Sequence, residues 1–205
     1  MAKKTTPAPA PAPATTPRRR RLDADRSVAA ILAAALEALA GDPDASMAEI
    51  ARRAGVVRAT IYVHFPTRES LLDAVMEKAV AEVAEAASGA EPQRGEPTEA
   101  LVRVLRATWR MLDRFQSLLT INTARLSPEE LHRRHLPVLV HFAPLIERGQ
   151  RSGDFRPDVP VSWHLAVIRA IAHTASFELQ AGRMAESEIE AVMLTTVVAA
   201  ISQER

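Results

Sequence analysis

Apolar residues recur every three or four positions along most of the chain, which is the spacing of amphipathic helices. The clearest stripe consists of Val28, Ile31, Leu32, Ala35, Leu36 and Leu39. Asp23 or Asp25 could cap the helix that this stripe predicts. Comparable stripes continue to the end of the chain, and no segment alternates with a period of two. The sequence therefore predicts an all-α fold of about nine helices.

A short second helix is predicted directly after the first. Ser46 and Glu49 have the spacing of a capping box, so this helix should begin at Met47. Gly55 should end it, because glycine adopts the left-handed conformation of a helix terminus most easily.

The following helix is predicted over residues 57–64, with Pro66 preventing its continuation and Thr67 capping the next one. Two short helices joined by a glycine turn are typical of a helix-turn-helix, whose second helix lies in the DNA major groove. A three-helix packing unit with no role in DNA binding would have the same helix lengths, and this alternative stays open at this point.

Residues 26–72 resemble the N-terminal domain of TetR-type transcriptional repressors. The matching positions are Gly41, Ser46, Ile50-Ala51, Ala54-Gly55-Val56, Thr60-Ile61-Tyr62, Phe65, Arg68 and Leu71-Leu72. The resemblance implies a DNA-binding domain at residues 23–70 and a divergent helical domain for ligand binding and dimerisation at residues 71–205.

Two positions depart from the family pattern. Asp42 stands where the family usually has an aromatic residue, and Val57 stands where it usually has serine. Because valine cannot cap the recognition helix, this departure costs about 1 kcal/mol of helix stability.

The recognition helix carries most of the candidate DNA contacts. An arginine can bind guanine O6 and N7 together, and Thr or Ala methyl groups can touch the thymine methyl. The candidate readers of base edges are Arg58, Ala59, Thr60 and Val63. The candidate phosphate contacts are Ser46, Tyr62, His64 and Arg68. The last three match positions that commonly hold the DNA backbone in the family.

The charge distribution limits where phosphate attraction can come from. The net charge is +1, and residues 22–78 hold six Lys/Arg against nine Asp/Glu. Attraction must therefore come from a few placed residues together with the basic N-terminus. Those placed residues are chiefly Arg52, Arg53, Arg58 and Arg68.

Residues 1–22 are predicted to be a disordered tail. Proline and alanine alternate from Pro7 to Pro13, which favours an extended chain without a core, and Arg18–Arg21 follow. The arginine run could enter a minor groove, as homeodomain arms do, or it could serve only to solvate the chain.

The C-terminal part shows further helix boundaries. Residues 88–97 are predicted to be a linker between the fourth and fifth helices. Ser127 followed by Pro128 marks a helix start, Pro144 should bend or break that helix, and Gly153 should end it.

The last two helices are predicted to form the dimer interface as an intermolecular four-helix bundle, because their apolar residues need burial on more than one side. The resemblance implies the same arrangement. The predicted interface residues are Ile168, Ile171, Ala175, Ile189, Val192, Met193, Thr196, Val197 and Ala200. Packing within one chain is the alternative.

The C-terminal domain is predicted to bind a small apolar or aromatic effector. The bulky side chains that could surround one cavity are Trp109, Met111, Phe115, Leu119, Phe142, Trp163, Val167 and Phe177. The fourth helix, residues 68–88, bridges both domains. If ligand binding tilts it, the spacing of the two recognition helices changes and operator affinity falls.

Other function classes have weak support. No Ser-His-Asp order, glycine-rich phosphate loop or metal-ligand cluster stands out, so neither catalysis nor a cofactor or metal is expected. With no cysteine and no apolar run of membrane-spanning length, a cytoplasmic location is expected. The prediction is a dimeric, effector-released regulator of an operator in double-stranded DNA, more often a repressor in the resembling family. The alternative is a helical small-molecule-binding or interaction protein without specific DNA binding.

Overall fold

The computed structural model describes residues 17–203, and within that range the chain forms nine α-helices joined by short loops. They are α1 (Pro17–Gly41), α2 (Met47–Arg53), α3 (Arg58–His64), α4 (Arg68–Gly89), α5 (Pro97–Arg114), α6 (Gln116–Arg125), α7 (Pro128–Ser152), α8 (Val161–Gln180) and α9 (Glu186–Ile201). β-type pairing in this part of the chain is limited to one bridge between Phe155 and Ser202. The predicted all-α fold is confirmed.

The first helix begins earlier than the sequence predicted. Its backbone is helical from Pro17, so Asp23 and Asp25 lie inside α1 and cap nothing. Arg18–Arg21 therefore belong to a helix and not to an extended tail. The apolar stripe could not show this, because it begins only at Val28. Residues 1–16, the rest of the predicted tail, lie outside the described residues.

Local capping signals set the bounds of α2, α3 and α4. Ser46 Oγ accepts a hydrogen bond from the Glu49 amide at 3.2 Å, which caps α2 as predicted. Val57 stands at the start of α3 without a side-chain cap, which is also as predicted. Thr67 and Ser70 form a reciprocal capping box at the start of α4.

Helix α7 confirms its predicted start and excludes one of the two effects predicted for Pro144, a break in the helix. Ser127 Oγ accepts a hydrogen bond from the Glu130 amide at 3.2 Å, so the helix begins where predicted. Pro144 does not break it, and α7 also continues through Pro137. Contacts with α4, α5 and α8 hold this helix along its length, so tertiary packing outweighs the two lost backbone hydrogen bonds.

The buried side chains form two clusters. The first joins α1 to α4 and includes Ile31, Ile50 and Ile61, together with Phe115 and Leu118 from the region of α6. The second lies among α5, α7, α8 and α9. Helix α4 contributes most of its buried residues to the first cluster and Ala87 to the second, so it connects the two halves of the described chain.

The predicted linker at residues 88–97 is held by two arginines. Arg148 of α7 donates three hydrogen bonds of 2.9 Å to carbonyl oxygens of this segment, those of Pro92, Gln93 and Gly95. Arg103 of α5 donates to three more, those of Ala90, Glu91 and Arg94. The loop therefore has a defined shape in which α4, α5 and α7 meet.

Candidate DNA interface and ligand cavity

Helix α3 buries one side and exposes the other. Ile61 is fully buried in the first cluster and anchors the helix. Val63 is 76% exposed and Val57 is 70% exposed, so neither contributes to the core. Arg58 and Ala59 are also exposed. A short helix that displays apolar side chains beside an arginine is a surface suited to bind a partner.

Arg58 and Tyr62 lie one turn apart on this exposed side. The guanidinium carbon of Arg58 is 5.6 Å from the centre of the Tyr62 ring, which is a cation–π distance. This contact orients the arginine along the helix while leaving its N–H groups free to donate. Thr60 and His64 are half-buried at the edges of the same helix, and Ser46 is exposed at the start of α2.

Arg68 is held by contacts within the chain, and its phosphate contact stays a prediction. Its guanidinium donates to the carbonyl oxygens of Pro43, at 2.8 Å, and of Ala45. Both carbonyls belong to the loop between α1 and α2, and the Arg68 side chain is half-buried there. The side chain thus fixes the entry to α2 against the start of α4.

The two arginines of α2 share one carboxylate. Glu49 accepts hydrogen bonds from Arg52 at 2.6 and 3.0 Å and from Arg53 at 2.8 Å. These hydrogen bonds, from Arg52 first and Arg53 second, lower the pKa of Glu49 to about 2. Only half of the predicted capping box therefore forms, which is the hydrogen bond from the Glu49 amide to Ser46 Oγ. The Glu49 carboxylate accepts from the two arginines instead. The three side chains together contribute one positive charge at neutral pH.

An apolar cavity of about 140 Å³ lies among α4, α5, α6, α7 and α8. Each helix supplies large apolar side chains to its wall, among them Val80, Leu105, Leu118, Phe142 and Ile168. An apolar cavity of this size holds a ligand the size of one benzene ring. Its walls include both α4 and α6, which also pack against the N-terminal helices.

The cavity contains only part of the predicted ligand set. Phe115 and Phe142 line it. Trp109 is buried elsewhere, with its indole N–H donating to Glu190 at 3.0 Å, and Met111 packs on the first cluster. Leu119 belongs to α6, but its side chain is not among those that the structure describes.

The predicted α8 members of that set do not line the cavity. Trp163 is 58% exposed and Phe177 is 56% exposed, while Val167 packs on the second cluster. The structure thus corrects the expectation that the bulkiest side chains surround one cavity. In their place, smaller side chains of α4 line it, including Met76, Ala79 and Val83. Their apolar stripe was visible in the sequence, but nothing in it distinguished a cavity wall from filled core.

Polar side chains also line the cavity wall, among them His135 and His173. His135 Nδ1 lies 2.6 Å from the Leu131 carbonyl oxygen, so Nδ1 carries the proton. His173 Nδ1 is buried and has no hydrogen-bond partner. Burial, followed by the charges of Arg169 and His135, lowers the pKa of His173 to about 4. His173 is therefore neutral at physiological pH.

Histidines do not form a metal site in the part of the chain that the structure describes. Over residues 17–203, no three His, Asp or Glu side chains are grouped so that they could hold an ion. His164, for example, is buried with Nε2 2.9 Å from the Arg156 carbonyl oxygen. The helices in this range are also all too short or too polar to span a lipid bilayer.

Helices α8 and α9 have two apolar sides, and many predicted interface residues lie on the inner one. The buried members pack in the chain's own second cluster and are Ile168, Ala175, Ile189, Met193 and Val197. Ile171 is half-buried, and the exposed members are Val192, Thr196 and Ala200. The outer side also exposes Trp163 and Phe177. For the five buried residues, an intermolecular contact is therefore wrong, because periodicity does not indicate which apolar side faces the chain's own core.

A network of charged side chains connects α4, α6 and α7. Asp73 Oδ1 accepts from Arg125 at 2.6 Å and from Arg134 at 2.9 Å. Partial burial opposes ionisation of Asp73, but these two hydrogen bonds outweigh it and keep its pKa below the ordinary value.

Separately, Ser117 Oγ donates to the Ala40 carbonyl oxygen at 3.1 Å, which joins α6 to the end of α1.

A helix-turn-helix with an exposed second helix, connected by α4 to a helical body with a cavity, is typical of a ligand-responsive DNA-binding regulator. Residues 31–75 match the family model described as bacterial regulatory proteins, tetR family. Together with the fold and the relatives below, this match shows that the chain is similar to TetR-family transcriptional regulators, with the family's DNA-binding domain matched at residues 31–75.

Three comparisons, two of them with the same relative, show this similarity. The HTH-type transcriptional repressor LfrR of Mycolicibacterium smegmatis is 29% identical over 180 residues, which cover 86% of this chain and 91% of the relative. The crystal structure of LfrR from Mycobacterium smegmatis with proflavine aligns with a TM-score of 0.70 at 25% identity, covering 88% and 98% of the two chains. A TetR regulatory protein from Mycobacterium vanbaalenii aligns with a TM-score of 0.60 at 28% identity, covering 90% and 99%.

Proposed function

We propose that this chain is a repressor that binds a pseudo-palindromic operator as a homodimer and is released by a small effector with an apolar or aromatic body. It acts by binding and not by catalysis, on DNA in the cytoplasm. The observation that carries the proposal is the outward display of Arg58, Tyr62 and Val63 on a helix whose opposite side is fixed in the core.

In this proposal α3 reads the major groove. Arg58 donates to guanine O6 and N7, and Ala59, Thr60 and Val63 provide methyl groups for thymine contacts. Tyr62 and Ser46 are suited to the phosphate backbone, as is His64 at the edge of the helix.

The outer side of α8 and α9 supplies the dimer contact. Trp163, Phe177 and Val192 are large apolar side chains that the chain itself leaves exposed. Small exposed residues between them, such as Thr196 and Ala200, allow two helices to approach closely. Pairing this side with its copy would form a four-helix bundle and place two recognition helices on one duplex. Light scattering that gives a monomer mass at micromolar concentration would exclude this arrangement.

Effector binding is coupled to DNA binding through the helices that the cavity shares with the N-terminal core. Helix α4 lines the cavity and begins next to α3, while α6 lines the cavity and hydrogen-bonds to the end of α1 through Ser117. An effector that enlarges the cavity displaces these two helices and changes the separation of the recognition helices. The complex of the relative LfrR with proflavine supports a small molecule as the trigger.

The test measures binding of the full-length protein to the DNA that flanks its own coding region. Fluorescence anisotropy should detect a sequence-specific complex, which Val63→Asp should abolish because a carboxylate in the groove repels phosphate. Val140→Asp is the matched control, since Val140 is also exposed but lies on α7. Unfolding midpoints should stay unchanged in both variants. The proposal fails if wild-type protein retains no duplex at low salt, or if both variants bind as wild type does.

A further inference from the structure

We infer that the cavity binds a small organic carboxylate with an apolar body of about one ring, whose carboxylate is held by Arg169 and His173. This inference rests on the proposed function only in calling the ligand an effector, because its binding can be measured without DNA. It goes beyond an apolar or aromatic effector by fixing the charge and size of the ligand.

The size follows from the space available. The cavity of about 140 Å³ is lined mainly by aliphatic side chains and by Phe115 and Phe142. A substituted benzene ring or a short branched chain fills such a volume, whereas a fused three-ring system requires the surrounding helices to move apart.

The charge follows from the polar side chains in the wall. Arg169 both lines the cavity and is exposed, which places it at the cavity opening. Arg169 makes no ion pair with a carboxylate of the described residues. The lining itself includes no Asp or Glu. A cationic ligand would therefore meet a like charge and no counter-charge, while an anion would meet a guanidinium able to bind it in bidentate fashion.

His173 supplies the second contact. It lies one turn from Arg169 on α8, so the two side chains share one side of the helix. Its buried Nδ1 lacks a hydrogen-bond partner within the described chain, which is costly unless a ligand satisfies it. Because His173 is neutral when the cavity is empty, it can take the tautomer that donates from Nδ1 to a carboxylate oxygen.

His135 completes the polar edge. Like His173, it lines the cavity. Its Nδ1 proton is already given to the Leu131 carbonyl oxygen, so it cannot supply a second N–H as a neutral ring. A carboxylate in this position would meet one cation and one neutral donor. Burying it would then not leave an unpaired charge.

The experiment compares three one-ring ligands of equal shape by calorimetry on the full-length protein at neutral pH. They are 4-methylbenzoate, 4-methylbenzamide and 4-methylbenzylammonium. The acid should bind tightest, by about tenfold or more over the amide, since a charge-assisted contact replaces a neutral one. The ammonium ion should bind weakest.

Variants assign the preference to the proposed residues. Arg169→Met should reduce acid binding to the level of the amide and leave amide binding unchanged. Arg151→Met, at an exposed arginine of α7, is the matched control and should leave both unchanged. His173→Leu should weaken the acid, and His173→Asn, which keeps an N–H donor close to the position of Nδ1, should restore part of the loss.

Several results would overturn the inference. They are equal or tighter binding of the amide or the ammonium ion, no binding of the acid up to its solubility limit, and an acid preference that survives Arg169→Met. A parallel anisotropy titration on operator DNA separates the two proposals. If the acid binds but no DNA complex forms, the proposed function fails and the carboxylate site stands. If the ammonium ion alone releases the DNA, the carboxylate site fails and the proposed function stands.

Discussion

Replacing Arg68 by alanine should weaken DNA binding through the fold and not through a lost phosphate contact. The Arg68 guanidinium donates to the carbonyl oxygens of Pro43 and Ala45. Each hydrogen bond from a charged donor contributes about 1.5–3 kcal/mol when buried, and Arg68 is half-buried, so the two together should stabilise the domain by about 2–4 kcal/mol. Urea unfolding of Arg68→Ala should show a loss of that size.

The salt dependence of DNA binding distinguishes the two roles. One phosphate contact contributes about 0.9 to the slope of log K against log salt concentration, so two copies of Arg68 in a dimer would contribute about 1.8. If Arg68 holds the loop, anisotropy titrations of Arg68→Ala over a range of salt concentrations should give weaker binding with the wild-type slope.

Arg68→Lys provides the control in case the alanine variant unfolds. Lysine keeps the charge but cannot bridge two carbonyl oxygens with a planar fork, so part of the stability should be lost while the slope stays unchanged. A slope reduced by about 1.8 in Arg68→Ala, with no loss of stability, would show that Arg68 contacts a phosphate. It would also refute the structural role of its hydrogen bonds to the loop between α1 and α2.

Three further predictions concern other parts of the chain. Arg58→Ala should change which base pairs are preferred in a panel of operator variants, and an equal loss across the panel would reassign Arg58 to a phosphate. Gly149→Ala should lower the free energy of unfolding by about 1–3 kcal/mol, because the new Cβ would overlap the ring of Phe155. Gly89→Ala, with nothing within 4 Å of its new Cβ, is the control, and equal urea midpoints for the two variants would contradict the packing argument. The free energy of unfolding should have its full value above pH 6.5 and fall as the pH drops towards 4. The reason is that the unfolded chain takes up a proton at His173 in this range and the folded chain does not. The loss should be on the order of 2–3 kcal/mol, and His173→Phe should remove it, whereas an identical pH profile in that variant would assign it to other groups.

The parts of the fold that could be predicted from the sequence are those fixed by neighbouring residues. Ser46, Thr67 and Ser127 cap helices because their hydroxyls reach amides three positions ahead, an interaction that needs no knowledge of the rest of the chain. The missing cap at Val57 was readable for the same reason. The exposed side of α3 could be predicted because Ile61, in the middle of this short helix, packs inward, so the opposite side must face outward.

The parts that could not be predicted depend on contacts between distant segments. Arg68 bonds to carbonyl groups more than twenty positions away, and no local pattern marks such a pair. Pro144 stays inside α7 because neighbouring helices hold the backbone on both sides of it. Trp163 and Phe177 looked like cavity residues because they are bulky, but size alone does not decide between an interior and an unpaired exterior side.

Arg103 and Arg148 donate hydrogen bonds to the loop after α4. Because these bonds hold that end of the helix, any rotation of α4 would pivot there. A helix of this length is a lever of roughly 33 Å, so a rotation of about 5° at the pivot carries its far end through roughly 3 Å. The far end bears the recognition helix. If the chain works as proposed, a ligand that shifts the cavity wall only slightly moves the DNA-reading surface by nearly the rise of one base pair.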